Sequence, residues 1–333
     1  MKVLHMPSGS DISMLAKQMR ALGVDATSAS FSSKDLYGYR ADRNLNVDQF
    51  PPEEKKAKIE QIFQEAMNEF DVFHFHFGKT FNSKSDIAIL KSKGKKMVAH
   101  HRGSEVRLLS LAQKNNRFAS IKSKWPEETV HKYVRRLSAS IDHAIVPDYE
   151  MLPYVEPYYK HVHVVLRAID VSSYTPVYPK ETDKPVVVHA PSHHEIKGTP
   201  FVLEAVEQLK QEGLDFEFRK IENLSHEEAM KAYQKATVVI DQLRIGSYAN
   251  LTMESMALGK PVICYVREDL VSKFPGKLPI INANPDTLTS VLRNFLMKNN
   301  DWNKIGKESR AYVEQYHHVE RIAKQMIDIY KLL

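Results

Sequence analysis

Short apolar runs alternate with longer stretches of helical spacing along the whole chain, a pattern that predicts parallel sheets covered by helices. In the first half the strand candidates are KVLHM (2–6), VDATSAS (24–30), DVFHFHF (71–77), KKMVAHH (95–101), HAIVP (143–147) and VHVVL (162–166). Between the first two, Ile12, Leu15, Ala16, Met19 and Leu22 recur at helical spacing, and Gly23 ends that helix. A stretch rich in proline and charge, TPVYPKETDKP (175–185), reads as a linker. The alternation then restarts with PVVVHA (185–190), DFEFRKI (215–221), TVVID (237–241) and PVICYV (261–266). Helices fall between these strands. One carries Val202, Ala205, Val206 and Leu209 on a face, one starts at Ser225 with Glu228 as capping-box partner, and one lies around Asn250–Leu258. Three helices close the chain, the last with a stripe of Val319, Ile322, Met326, Ile329 and Leu333. The expected fold is α/β: two Rossmann-like, doubly wound domains over 1–172 and 173–315, and a terminal helix over 316–333.

Length and composition narrow the class. A chain of 333 residues suits two domains rather than one core. With 43% hydrophobic and 26% charged residues, it reads as globular rather than disordered. No apolar run approaches the ~20 residues of a membrane span, and MKVLHMPSGS lacks a secretory apolar stretch. The single cysteine, Cys264, sits in a strand pattern and reads as core, which fits a reducing compartment. The expected location is cytoplasmic.

The net charge of +6 is carried by the first half, because acidic and basic residues are equal in number over 173–333. Its densest part, residues 107–136, holds eight basic and two acidic side chains among scattered Leu, Ile, Phe and Trp. A solvated helical face is one reading. A surface for anionic lipid or an anionic acceptor is the other, and it would place the protein peripherally at the inner membrane face. No nucleic-acid motif accompanies the charge, so no nucleic-acid partner is expected.

Open parallel sheets hold ligands beyond the carboxyl ends of their strands, which directs attention to the loops after residues 6, 77, 101, 190, 221 and 241. After 241, a polar loop leads into a helix whose start, near Ala249–Thr252, offers unpaired backbone N–H groups suited to phosphate. Glu254 lies about one turn into that helix, where its carboxylate can accept from ribose hydroxyls or simply complement the helix dipole. Pro7–Asp11 presents the amides of Gly9 and Ser10 as an anion nest. His74 and His76 share one strand face, a geometry open to a metal pair. With no third ligand nearby in sequence, they read as strand packing.

The segment TMESMALGKPVI (252–263) is similar to the LEAMACGKPVI segment of retaining, family-4-type glycosyltransferases of the GT-B fold. Upstream, AMKAYQKATVVID resembles that family's LxxLYxxADVFV helix and strand, and HAPSHHEIKGTPFVLEAVEQLK (189–210) resembles its GRLxxxKGxxxLIxAxxxL. The resemblance implies two domains facing a cleft. It also implies a hexosyltransferase-type enzyme with Glu254 on the donor ribose and Lys197 on the diphosphate, and Asn250, Leu251 and Thr252 at the phosphate-binding helix start. Ser192, His193 and His194 stand where the family has an arginine. HHRGSEVR (100–107) resembles the family's HGxDxR, which makes His101 the candidate contact to the donor sugar and sets Glu105 where an acid commonly sits. A second family glutamate, eight residues before Glu254, is replaced by Gly246, leaving Asp241, Arg244 or the Ser247–Asn250 backbone to hold the sugar.

There is no G-x-G-x-x-G, no P-loop spacing and no Asp-x-Asp. Taken with the resemblance, this implies a donor site without metal or cofactor. The expected partners are a UDP- or GDP-sugar donor and a glycan, lipid-linked or protein acceptor. Two alternatives stay open: a nucleotide-sugar epimerase using His101 with Glu105, and a relative that binds a nucleotide or glycan without turnover.

Overall fold

The computed structural model describes residues 1–7, 9–32, 41–81, 85–182 and 184–333. They form two compact units: Met1–Leu108 with Ser123–Ala168 and Val319–Leu333, and Leu109–Lys122 with Ile169–His318. This differs from a simple division by residue number, and Val319–Leu333 groups with the first unit. Leu109–Lys122 lies within the first half of the sequence but groups with the second unit. Residues 175–185 are not a free linker, since the second unit begins at Ile169 and Val177 N donates to Leu258 O at 2.8 Å.

The first unit holds a seven-stranded sheet of β1 (Lys2–Met6), β2 (Asp25–Ser30), β3 (Arg43–Asn44), β4 (Val72–His76), β5 (Lys96–His100), β6 (His143–Val146) and β7 (His161–Val164), in the order β3-β2-β1-β4-β5-β6-β7. All its strand pairs are parallel. Strands buried on both faces have no need of alternation, which is why Val72–His76 is buried at every position. The strand residues Val3, Ala26, Val72, Val98 and Ile145 share one core with Leu15 and Met19 of the helix Ser10–Ala21. Val319, Ile322, Met326 and Ile329 of the final helix Val319–Leu332 complete it. Each such buried side chain contributes roughly 1.5–3 kcal/mol, and the apolar stripe is what fixes the chain's end in this unit.

The second unit has five parallel strands, β8 (Val186–His189), β9 (Glu217–Lys220), β10 (Val238–Ile240), β11 (Val262–Cys264) and β12 (Ile281–Asn282), in the order β12-β11-β10-β8-β9. Val202, Ala205, Val206 and Leu209 pack under this sheet. Ser225 and Glu228 form the expected reciprocal cap. Cys264 is buried, and burial pushes its thiol up. The two-residue strands β3 and β12 fall outside the strand candidates, being too short to register as a pattern.

Strand order reverses between β1 and β4 in the first sheet and between β8 and β10 in the second. These are the topological switch points at which doubly wound sheets open a crevice for ligands.

Candidate active site

The loops after β8 and β10 meet at the second unit's switch point. Lys197 ends the short helix His194–Lys197, and Gly198, with φ of 76°, turns the chain into the next helix. The Lys197 side chain is buried, and Nζ donates to Asp241 Oδ1 at 2.5 Å and to Gln242 Oε1 at 3.2 Å. Asp241 is fully buried and also accepts from Thr252 Oγ1 at 2.7 Å. One carboxylate thus ties the end of β10 to the lysine after β8 and to the first turn of the helix Asn250–Ala257. Nothing local in the sequence marks Asp241 as the partner of Lys197, since 44 residues separate them and only the sheet order brings them together.

The helix Asn250–Ala257 begins without a side-chain cap and without an acidic residue in its first turn. The amides at its start therefore retain their affinity for an anion. Glu254 is half-buried, and burial together with the Asp241 charge pushes its carboxyl up to about 7, against the opposing pull of Lys197. Leu251 and Ser247 are buried, and Gln242 Nε2 donates to the Ser247 carbonyl. Ser192 is exposed, whereas His193 is half-buried with a buried Nδ1 that has no partner among the described residues.

Gly246 has φ of 84°, and a Cβ there would lie 2.6 Å from Arg267 Cγ. Arg267 N donates to Gly246 O at 3.0 Å, and its guanidinium is paired with Asp269. Backbone and arginine together exclude a side chain at the place where the resembling family has its second glutamate.

Arg244 turns toward the Leu109–Lys122 segment: its Nε donates to Phe118 O at 2.7 Å, and Asn116 Nδ2 donates to Arg244 O at 2.8 Å. Ser120 Oγ donates to Glu195 Oε1 at 2.7 Å, and Arg117 pairs with Asp286. The basic stretch 107–136 is therefore not one solvated face. Arg107 is held by Glu150 in a partly buried pair, and the segment from Leu109 serves to cover loops of the second unit. A cavity of about 530 Å³ lies beyond β11 and β12, lined by Tyr265, Arg267, Asp269, Asn282 and Asn284 among others. It does not include Lys197 or Glu254.

In the first unit, Gly9 precedes the helix Ser10–Ala21 in extended conformation, while Ser8 and the Ser10 side chain lie outside the described residues. Asp11, in the first turn, pairs with Arg102. His101 is fully buried, with Nε2 2.9 Å from the Tyr159 hydroxyl and Nδ1 3.6 Å from Glu105. Burial pushes Glu105 up, but the nearby His101 ring and the donating amides of Arg102 and Gly103 outweigh it and hold the carboxyl below its ordinary range. His74 and His76 gain a third neighbour in His5, contributed by β1 seventy residues away and so invisible to local spacing.

The family described as glycosyl transferase-like matches residues 193–328. Among solved structures, sucrose-phosphate synthase from Thermosynechococcus elongatus superposes with a TM-score of 0.69 at 17% identity, covering 100% of this chain and 95% of that one. HepE of Anabaena, solved in complex with UDP, gives a TM-score of 0.64 at 12% identity, covering 100% of both chains. UDP-GlcNAc 2-epimerase from Neisseria meningitidis, bound to UDP-GlcNAc, gives 0.57 at 14%, covering 98% and 99%. Among curated proteins, none matches the sequence.

Proposed function

We propose that this chain, a glycosyltransferase of the group 1 kind on the GT-B fold, moves a sugar from a UDP-type donor to a hydroxyl acceptor, with retention and without a metal ion. The observation that carries this reading is the convergence of Lys197, Asp241, Thr252 and Glu254 on one switch point. An ammonium has three N–H donors. Asp241 and Gln242 take two of those on Lys197, leaving one for a phosphate oxygen. The amides at the start of Asn250–Ala257 supply further donors to the diphosphate. Glu254, once ionised, accepts from the ribose hydroxyls.

As the bond from the sugar's anomeric carbon to the phosphate oxygen breaks, charge grows on that oxygen, and Lys197 and the helix start are already in place to stabilise it. The anomeric carbon passes through an oxocarbenium-like state before bonding to the acceptor oxygen, whose proton passes to the departing phosphate oxygen. HepE, solved with UDP-glucose as well as UDP, supports a uridine donor. An epimerase would need an acid/base pair aimed at the sugar ring, and the candidate pair disfavours that reading: the His101 and Glu105 side chains are 0% and 10% exposed.

Incubating the protein with UDP-, GDP- and ADP-sugars and following free nucleotide tests the reading. Slow release of UDP without acceptor is expected. Isomerisation of the sugar, or binding with no turnover when acceptors are supplied, would contradict it.

A further inference from the structure

Strand register sets four histidines on one face of the first sheet, His5 opposite His74 and His76 opposite His100. All four are buried, as is Tyr330 of the final helix, which packs against His5 and His74. Their contacts run in a line. Arg102 Nη2 is 3.2 Å from His76 Nδ1, and His76 Nε2 is 3.1 Å from His5 Nδ1. His5 Nε2 is 3.4 Å from the Tyr330 hydroxyl, which is 2.6 Å from His74 Nδ1. His74 Nε2 is 3.1 Å from His100 Nδ1, and His100 Nε2 is buried with no partner among the described residues.

Burial keeps these rings neutral, holding His5 down to about 3 and the other three well below the ordinary imidazole range. A guanidinium only donates, and a neutral imidazole has one donor and one acceptor. His76 Nδ1 must therefore accept from Arg102, so His76 carries its proton on Nε2 and donates to His5. His5 in turn donates to Tyr330, Tyr330 to His74, and His74 to His100. One donor-only residue fixes every ring in the Nε2–H form.

The ring nitrogens of His5, His74 and His76 lie within 4.8 Å of one another, close enough for a metal site. A metal would need the Nε2 lone pair of His76 and would move that ring's proton to Nδ1, where it would face the Arg102 N–H donor to donor. It would also set a dication beside a buried guanidinium. We propose that the cluster is instead a one-way hydrogen-bond chain in which Tyr330 is a positioning residue, passing the direction set by Arg102 on to His100. It starts at Arg102, in the loop after β5, and ends at His100, the last residue of that strand, and Asp11 anchors Arg102 to the first turn of the helix Ser10–Ala21. The final helix thus orders the ring at the end of β5.

Long-range ¹H–¹⁵N spectra of the full chain, labelled in histidine, read each ring's tautomer. All four rings should be Nε2–H at neutral pH, and one equivalent of Zn²⁺ should leave them unchanged. Tyr330→Phe cuts the line in the middle, so His74 and His100 should populate both tautomers while His76 and His5, still ordered by Arg102, keep theirs. Arg102→Lys retains a donor-only group and should preserve the pattern; Arg102→Met should not. An Nδ1–H form of His76 or His74 in the unaltered protein, stoichiometric Zn²⁺ binding that shifts His5, His74 and His76, or a Tyr330→Phe spectrum identical to that of the unaltered protein would each overturn the proposal. The direction of the line is read from the unaltered protein, so it is decided even if a variant does not fold.

Discussion

A Cβ added to Gly246 would sit 2.6 Å from Cγ of Arg267 and 2.8 Å from its Cδ, on a backbone whose φ of 84° already disfavours an L side chain. The glutamate common at this place in the resembling family is thus excluded twice, by conformation and by volume. Gly246→Glu should lower the stability of the second unit by roughly 1–3 kcal/mol without raising turnover. In the Gly246→Ala, Arg267→Ala pair, removing the arginine should recover only the steric part of the cost. Thermal melts of the two single variants and the double variant separate the terms, and full recovery in the double would show that the backbone conformation costs nothing.

Lys197 and Asp241 form a buried pair whose members are held by further hydrogen bonds. Removing either partner strands the other charge, at a cost on the order of 3–5 kcal/mol. Lys197→Met and Asp241→Asn should therefore each destabilise strongly, and the double variant should lose far less than their sum. Urea denaturation of the four proteins measures the coupling, and simple additivity would mean that the pair is not formed in solution.

Glu254 should make stability depend on pH in a defined direction. Its carboxyl titrates near 7 in the folded protein, against 4.5 for an unperturbed glutamate. A raised folded-state value means that the native state holds the proton more tightly. Relative to Glu254→Gln, the natural protein should be favoured most below about pH 4.5 and should lose that advantage as the pH rises through about 7, by roughly 3 kcal/mol in all. Melting temperatures of both proteins from pH 4 to 8 give the difference curve, and a flat curve would contradict the raised value.

Much of this was legible in the chain itself. Buried β-runs such as Val72–His76, the stripe from Val319 to Leu333 and the Ser225–Glu228 cap are local signals, and each appears where its spacing predicts. Lys197 and Glu254 stand out in the sequence as candidates because each lies in a segment resembling a family motif. What sequence could not supply was anything that depends on strand order. Asp241 reaches Lys197 only because β10 lies beside β8, and His5 reaches His76 only because β1 lies beside β4. The docking of Leu109–Lys122 on the second unit was equally hidden, since its charge suggested solvent or lipid while its hydrogen bonds run to Arg244 and Glu195.

The proposed grip of Lys197 and Glu254 on a nucleoside diphosphate is measured by isothermal titration with UDP. Lys197→Ala and Glu254→Ala should each weaken binding at least about tenfold, the 1.4 kcal/mol expected from losing one charged contact, with far-UV circular dichroism unchanged. Unaltered UDP affinity in both folded variants would contradict the assignment.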